Sequence, residues 1–387
     1  MTSPDVIYLD CNATTPCDPR VVAAMQPFFT SVFANAASHH AAGAAASEGV
    51  EHARHQVAQL VGASPHGIVF TSGATESDNL ALVGALSARG GGHVVSVRTE
   101  HKAVLHPLER LARRGRVEVT LLVPDRFGRV EPQQVANAIR ADTVLVSVMA
   151  ANNEIGTVAP IGEIGEVCRN AGVLFHTDAA QLAGKLPLDV RSAHVDLASL
   201  SAHKMYGPKG VGALYVRRGT SIEPIISGGG HERGLRSGTF NVPAIVGFGA
   251  AAAIAVEQMG RDADHSEVLR GMLLSGLTDA FPGLEVNGPD TGRLPGTLNV
   301  RLPGVDADAL LPAVPSVAMS SGSACTSATP EPSHVLIAIG RSWDEAQECV
   351  RLGVGRFTTE PEVLAALEHI IVGAHRLLVG RTAGVTR

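Results

Sequence analysis

Along the first two-thirds of the chain, short apolar runs alternate with stretches of helical period. The run Ile68 to Phe70 precedes a helix-patterned stretch from Asn79 to Arg89, and Val94 to Val97 precedes His101 to Arg113. Val117 to Leu122 is followed by Pro132 to Arg140, Val144 to Met149 by Ile161 to Ala171, and Val173 to Thr177 closes the series. Two further runs, Val195 to Leu200 and Val211 to Val216, flank a polar turn. Strand–helix alternation of this kind predicts a mostly parallel sheet with helices on both faces. Before it, Tyr8-Leu9 reads as a short strand, Pro19 to Phe29 as a helix and Glu48 to Val61 as an amphipathic helix. After it, Asn241 to Met259 reads as a long Ala-rich helix bridging to a second unit. Short strands at Leu284–Asn287, Leu298–Leu302 and Val317–Met319 and a closing helix from Glu360 to Leu378 belong to that unit. The expected division is a large domain over 15–258 and a smaller α+β domain over 1–14 and 259–387.

Bulk composition narrows the class without naming a chemistry. The 387 residues suffice for two cores, and 45% hydrophobic residues with 42 glycines suit a compact α/β enzyme. A net charge of −6 offers no basic footprint for nucleic acid. The apolar stretch Ala250 to Ala255 is short and ends before Glu257, and the first residues lack a basic segment followed by an apolar one, so neither a membrane span nor a secretory signal is expected. Five cysteines without CxxC spacing argue against a disulfide framework or structural zinc, and no metal site is expected. The adjacent His39 and His40 point apart and lack a nearby third ligand. The resulting expectation is a soluble, cytoplasmic protein with reduced thiols.

The polar residues with chemistry to offer fall after the strands, where function gathers in such sheets. Thr71-Ser72-Gly73-Ala74-Thr75 is a glycine turn before a helix; its backbone N–H groups could hold a phosphate at Ala74 and Thr75, and Thr75 or Ser77 would equally serve as an N-cap. His101 follows the next strand, and Asn152-Asn153-Glu154 follows another. Asp178, with Gln181 three residues on, suits an acid that keeps a pyridine nitrogen protonated and an amide that donates to a ring oxygen; an acid at a strand end is also a common helix cap. Ser201-Ala202-His203-Lys204 delivers a lysine from a buried strand into a Gly-Pro turn, one way to set an amine against a carbonyl cofactor. A Gly-rich loop with two arginines runs from Gly228 to Thr239, too irregular for a dinucleotide fingerprint. Cys325 sits in the Ser/Gly/Ala/Thr-rich run Ser320 to Pro330, without the periodicity of a core residue, as a solvent-reachable thiol would. Arg351 and Arg356 lie in Cys349 to Thr359 and suit bidentate carboxylate binding.

Taken together these motifs resemble the cysteine desulfurases, pyridoxal phosphate enzymes of the class V aminotransferase fold. The resemblance runs from Leu9-Asp10-x-x-Ala13-Thr14-Thr15-Pro16 to Gly355-Arg356-Phe357-Thr358-Thr359. It includes Thr71 to Asn79, Thr99 to Lys102, Asn152 to Gly156, Ser201 to Lys204, Gly228 to Thr239 and Ser321 to Ser327 in the expected order. It implies an aminotransferase-like large domain with a mostly parallel seven-stranded sheet, plus a smaller domain carrying a mobile cysteine loop at about 320–333, as in the housekeeping iron–sulfur type. It implies that Lys204 carries pyridoxal 5'-phosphate, that His101 stacks on its ring, and that Asp178 and Gln181 pair with the ring nitrogen and oxygen. Ala74, Thr75, Ser201 and His203 would hold the phosphate, completed by Thr239 from the second subunit of a homodimer. Asn153 with Arg351 or Arg356 would hold the carboxylate of L-cysteine, and Cys325 would take its sulfur as a persulfide, releasing alanine. A sulfur-acceptor protein, of the iron–sulfur scaffold or tRNA-thiolation kind, would follow. The chain departs from the family pattern at Gly353, where serine is usual, at Ala36, where proline is common, and in a short tail after Arg376 without the extension that docks a scaffold. A selenocysteine lyase, an aminotransferase or a non-catalytic sulfur-relay protein of the same fold are the alternatives; the cysteine loop speaks against an aminotransferase.

Overall fold

The computed structural model describes residues 6–321 and 331–384. Among the described residues the thirteen strands are β1 (Ile7–Tyr8), β2 (Ile68–Thr71), β3 (Gly92–Val97), β4 (Val117–Leu122), β5 (Thr143–Ser147), β6 (Leu174–Asp178), β7 (Leu197–Ser201), β8 (Gly212–Val216), β9 (Glu285–Asn287), β10 (Thr297–Arg301), β11 (Val317–Ala318), β12 (Ser320–Ser321) and β13 (Cys349–Gly353). Seven form the main sheet in the order β2-β8-β7-β6-β5-β3-β4. Only β8 runs against its neighbours; β7-β6-β5-β3-β4 are all parallel. The carboxyl ends of β2, β3, β5, β6 and β7 therefore open on one edge. These strands are almost fully buried and Val/Leu-rich, as a sheet covered on both faces requires.

Two apolar cores meet along one helix. The larger packs on one face of the main sheet and includes Phe70, Phe175, Leu200 and Phe248, while Leu80, Val94, Leu145 and Leu197 belong to a separate cluster on the other face. The second joins Leu9, Leu298, Val300, Leu352 and Ile370 around the antiparallel sheet β12-β13-β10-β9. The helix Val242–Ala280 spans both: Ile245, Phe248 and Ala251 enter the first, Leu269, Leu273 and Leu277 the second. It runs 39 residues, well past the expected end at Met259, because Gly260 in a helix interior costs only about 1 kcal/mol and packing on both sides outweighs it. This helix is long and apolar enough to span a bilayer by composition, but half of that apolar window is buried inside the fold.

Other helices also start earlier than expected. Ala41–Leu60 begins seven residues before Glu48, in an alanine-rich stretch with strong propensity but no amphipathic period, and His40 caps it by accepting from the Gly43 N–H (3.1 Å). Ala74–Ala88 absorbs the polar residues that read as a turn. The N-terminal segment returns to the second sheet, where Asp10 bridges Gly353. A Cβ on Gly353 would lie 2.2 Å from the Asn12 side-chain oxygen, so serine there would push the segment away.

Candidate active site

A cleft of about 530 Å³ opens at the carboxyl edge of the main sheet. Its floor and walls carry Lys204, His101, Asp178, Gln181, Ala74, Thr75, Ser201, His203, Asn153 and Arg351, so ten of the residues singled out in the sequence meet in one place. The Lys204 amine donates to the carbonyls of Asn12 (2.6 Å) and Ala13 (2.7 Å). It is held there by a single 3₁₀ turn, Ala202–Lys204, that follows β7 directly.

On the phosphate-sized side, β2 turns into the helix Ala74–Ala88. Neither Thr75 nor Ser77 caps it: the N-cap is Gly73, which has no side-chain bond to offer, and Ser77 is turned inward to Thr71 (2.8 Å) and the Gly73 carbonyl. The helix therefore presents its first N–H groups and the positive end of its dipole to the cleft. Gly212 makes the turn possible, since a Cβ there would lie 2.7 Å from the Gly73 backbone. Ser201 and His203 face the same corner. The His203 ring bonds Thr14 (3.0 Å), and burial lowers its pKa to about 4, so it is neutral.

At the floor, Asp178 ends β6. One of its oxygens accepts from the Ala180 N–H (2.9 Å), and burial, with Asp78 nearby, raises its pKa to about 6. Asp78 is raised to about 7 by burial and Glu100 is driven well above the usual carboxylate range, with Asp178 adding to the effect. Asp78 and Glu100 thus lie buried close to Asp178 without lining the cleft, and a cationic ring nitrogen at Asp178 would supply a counter-charge there. His101 caps the helix Lys102–Arg113 through Nδ1, which accepts from the Ala103 N–H (3.1 Å); its remaining proton is therefore on Nε2. Burial lowers its pKa. The set of amine, carboxyl, helix N-terminus and flat imidazole fits pyridoxal 5'-phosphate.

Arg351 and Arg356 part company. Arg351 lines the cleft, bonded to Asp10 (2.8 Å), Ser320 (3.1 Å) and the Asn153 carbonyl (3.2 Å), and its buried Nε has no partner among the described residues. Arg356 does not reach it. Its guanidinium binds Asp18 (2.9 Å) and Asp262 (2.7 Å) and lies 4.3 Å from the Tyr206 ring centre, because β13 ends at Gly353 and the chain turns away. Thr239 is exposed and outside the cleft. Cys325 lies outside the described residues, between flanks tied to the site. Ser320 bonds Arg351, the Ser333 hydroxyl donates to Glu154, and His334 donates to the Glu100 carbonyl (2.9 Å). Asn12, whose carbonyl faces Lys204, went unremarked in the sequence; a backbone acceptor leaves no side-chain signal.

The aminotransferase class-V family model matches residues 7–365, and the chain belongs to that family. A cysteine desulfurase from Anaeromyxobacter dehalogenans is 56% identical over 362 residues, covering 92% of this chain and 89% of its own length. A solved NifS-like protein is 38% identical with a TM-score of 0.88, covering 95% of this chain and 98% of its own. A structure described as SspA in complex with cysteine is also 38% identical, with a TM-score of 0.82, covering 92% and 100%. Within class V the chain is a member of the cysteine desulfurase family.

Proposed function

We propose that the chain converts L-cysteine to L-alanine and passes the sulfur, through a persulfide on Cys325, to an acceptor protein. The observation that carries this reading is the convergence of the Lys204 amine, the Asp178 carboxyl and an uncapped helix N-terminus in one cleft. Pyridoxal 5'-phosphate, when bound there, supplies an electron sink that stabilises negative charge at the substrate α-carbon and weakens the Cβ–S bond.

The chain's own groups do the rest. Ala74, Thr75, Ser201 and His203 would hold the cofactor's phosphate. Asp178 would keep a proton on its ring nitrogen, Gln181 would donate to its ring oxygen, and His101 would flank the ring. Lys204 would anchor it, and the Lys204 amine would take the substrate α-proton and return it to the α-carbon once the sulfur has left. Arg351 and Asn153 orient the substrate carboxylate; Arg356 braces the fold instead. The Cys325 thiolate attacks the substrate sulfur: an S–S bond forms and the Cβ–S bond breaks. The electron pair goes to the β-carbon, which takes up a proton and leaves as the methyl group of alanine.

The role of Cys325 draws support from its described competitors. Cys11, Cys168 and Cys349 are buried, Cys17 partly so, and burial raises all four: Cys11 and Cys349 to about 11 and Cys168 to about 12. None lines the cleft, and thiols so raised are poor nucleophiles.

The two cores support a division into domains over 15–258 and over 1–14 with 259–387. The exposed Phe29 and Phe33 support a homodimer, in which Thr239 of one chain completes the phosphate site of the other. The acceptor is of the iron–sulfur scaffold or tRNA-thiolation kind, and the reaction takes place in the cytoplasm. The test is incubation with isotopically labelled L-cysteine followed by mass mapping of the persulfide. Label on Cys325 is expected. Cys325→Ala should keep the visible cofactor band and lose sustained alanine formation; desulfuration of cysteine at the wild-type rate by that variant removes Cys325 from the reaction.

A further inference from the structure

Behind Gln181, on the side away from the cleft, lies a second lysine. Lys185 stands four residues after Gln181 in the turn that follows β6, and its ammonium donates to the Gln181 side-chain oxygen (2.7 Å). The amide nitrogen of the same side chain donates to the Asn12 carbonyl (2.9 Å), and that carbonyl also accepts from Lys204 (2.6 Å). A continuous hydrogen-bonded path therefore runs Lys185–Gln181–Asn12–Lys204.

The path fixes a polarity. A carboxamide can be flipped end for end, and its two ends do opposite things: the oxygen accepts, the nitrogen donates. Here an ammonium, which only donates, faces the oxygen. A carbonyl, which only accepts, faces the nitrogen. Both neighbours enforce one orientation, so the hydrogen left over on Gln181 is a donor hydrogen and the oxygen is withheld from the cleft. A cation on the oxygen also polarises the amide and strengthens the N–H as a donor.

We propose that Lys185 is a positioning residue: through the Gln181 amide it sets a strengthened hydrogen-bond donor against the oxygen of the cofactor ring and so holds negative charge there. This rests on the functional reading above and adds a residue that touches neither cofactor nor substrate. The charged and titratable groups facing Lys185 are Lys204, Cys11 and Arg351. Burial, and then the Lys204 charge, lower its pKa to about 7, so Lys185 is a cation below that pH and gives up its charge above it, and its hold on the amide is strongest on the acid side.

The test is a pH titration of the visible absorption band of the cofactor-loaded chain, with equilibrium uptake of pyridoxal 5'-phosphate by the unloaded chain as a second readout. Lys185→Met removes the cation and keeps the stem. Its titration midpoint is expected to rise by about one pH unit, a tenfold change in proton affinity, and cofactor affinity to fall by a similar factor. Because an effect through packing would look alike in uptake alone, the decisive comparison uses Gln181→Met. In that background, adding Lys185→Met should leave the midpoint where Gln181→Met alone puts it. An unchanged midpoint in Lys185→Met, or a full shift that persists without the Gln181 amide, overturns the proposal. A wild-type chain that takes up no cofactor overturns the functional reading and this inference together, whereas a wild type that loads normally beside an unshifted variant overturns the inference alone.

Discussion

Arg351 and Arg356 are five residues apart, carry the same charge and are both deeply buried, yet their surroundings give them separate work. Arg351 shares its guanidinium among Asp10, Ser320 and the Asn153 carbonyl, yet it lines the cleft, and only one hydrogen of its Nη1 is taken by Asn153, so an incoming carboxylate has something to bind. Arg356 is saturated by two aspartates and an aromatic face. Removing Arg351 should therefore weaken substrate binding: Arg351→Ala is expected to raise KM for L-cysteine roughly 30-fold, about 2 kcal/mol for a lost charge-assisted bond. Arg356→Ala should leave KM within about threefold and instead lower stability, since it takes from Asp262 its guanidinium partner and from the buried Asp18 carboxylate one of the two guanidiniums, Arg20 and then Arg356, that hold its pKa down at about 2. Steady-state kinetics paired with urea unfolding of the two variants separates the cases. An equal rise in KM for both would show that the arginines share one task.

Elements bring these residues together, and one buried ion pair fixes an element to its neighbour. Arg54, on the helix Ala41–Leu60, forms a two-pronged pair with Glu232 (2.8 and 2.9 Å) and donates to the Ile68 carbonyl at the start of β2. Both side chains are buried, and Glu232 and Arg233 hold positive φ to reach this position. The pair thus ties the Gly-rich segment 228–239 to the root of the strand that leads into the phosphate-sized turn. A second bond, Arg236 to Glu76 (2.8 Å), ties the same segment to the helix that follows the turn. Glu232→Ala would leave the Arg54 guanidinium buried beside only the exposed Glu51, and it is expected to cost about 3 kcal/mol in urea unfolding of the unloaded chain. A loss below about 1 kcal/mol would mean that water or Glu51 replaces the pair. At this scale the sequence was a partial guide. Strand positions in the main sheet follow from apolar runs of the right length. Helix starts were missed at Ala41 and Ala74, because an alanine run carries no amphipathic period and polar residues at a helix start look like those of a loop.

Across the whole molecule, charge links cofactor binding to stability. The folded Asp178 carboxyl titrates near 6 against an ordinary value of 3.8, raised chiefly by burial. A raised acid favours the folded state below its unfolded value, and that contribution is lost as pH rises through about 6. Above that pH the unloaded fold carries a carboxylate without a full counter-charge, which a protonated ring nitrogen would provide. Cofactor should accordingly stabilise the chain more at pH 8 than at pH 5.5, and its affinity should weaken about tenfold for each unit below pH 6. Thermal unfolding with and without pyridoxal 5'-phosphate at the two pH values checks both. An equal or larger gain in acid would contradict the assignment of Asp178.

The alternation of strands and helices, the existence of a second unit and the chemistry-bearing residue types were all set by the sequence alone, because apolar period and turn chemistry are local properties. So was the expectation that residues after the strands converge, since parallel strands share one carboxyl edge. Only the tertiary structure decided which arginine faces the cleft. It also decided that Gly353 makes room for Asn12, whose backbone carbonyl meets Lys204, and that Lys185 stands behind Gln181. These depend on contacts between segments far apart in the chain, Asp10 and Arg351 being separated by 341 residues, and on backbone groups that every residue carries and that no residue type reveals.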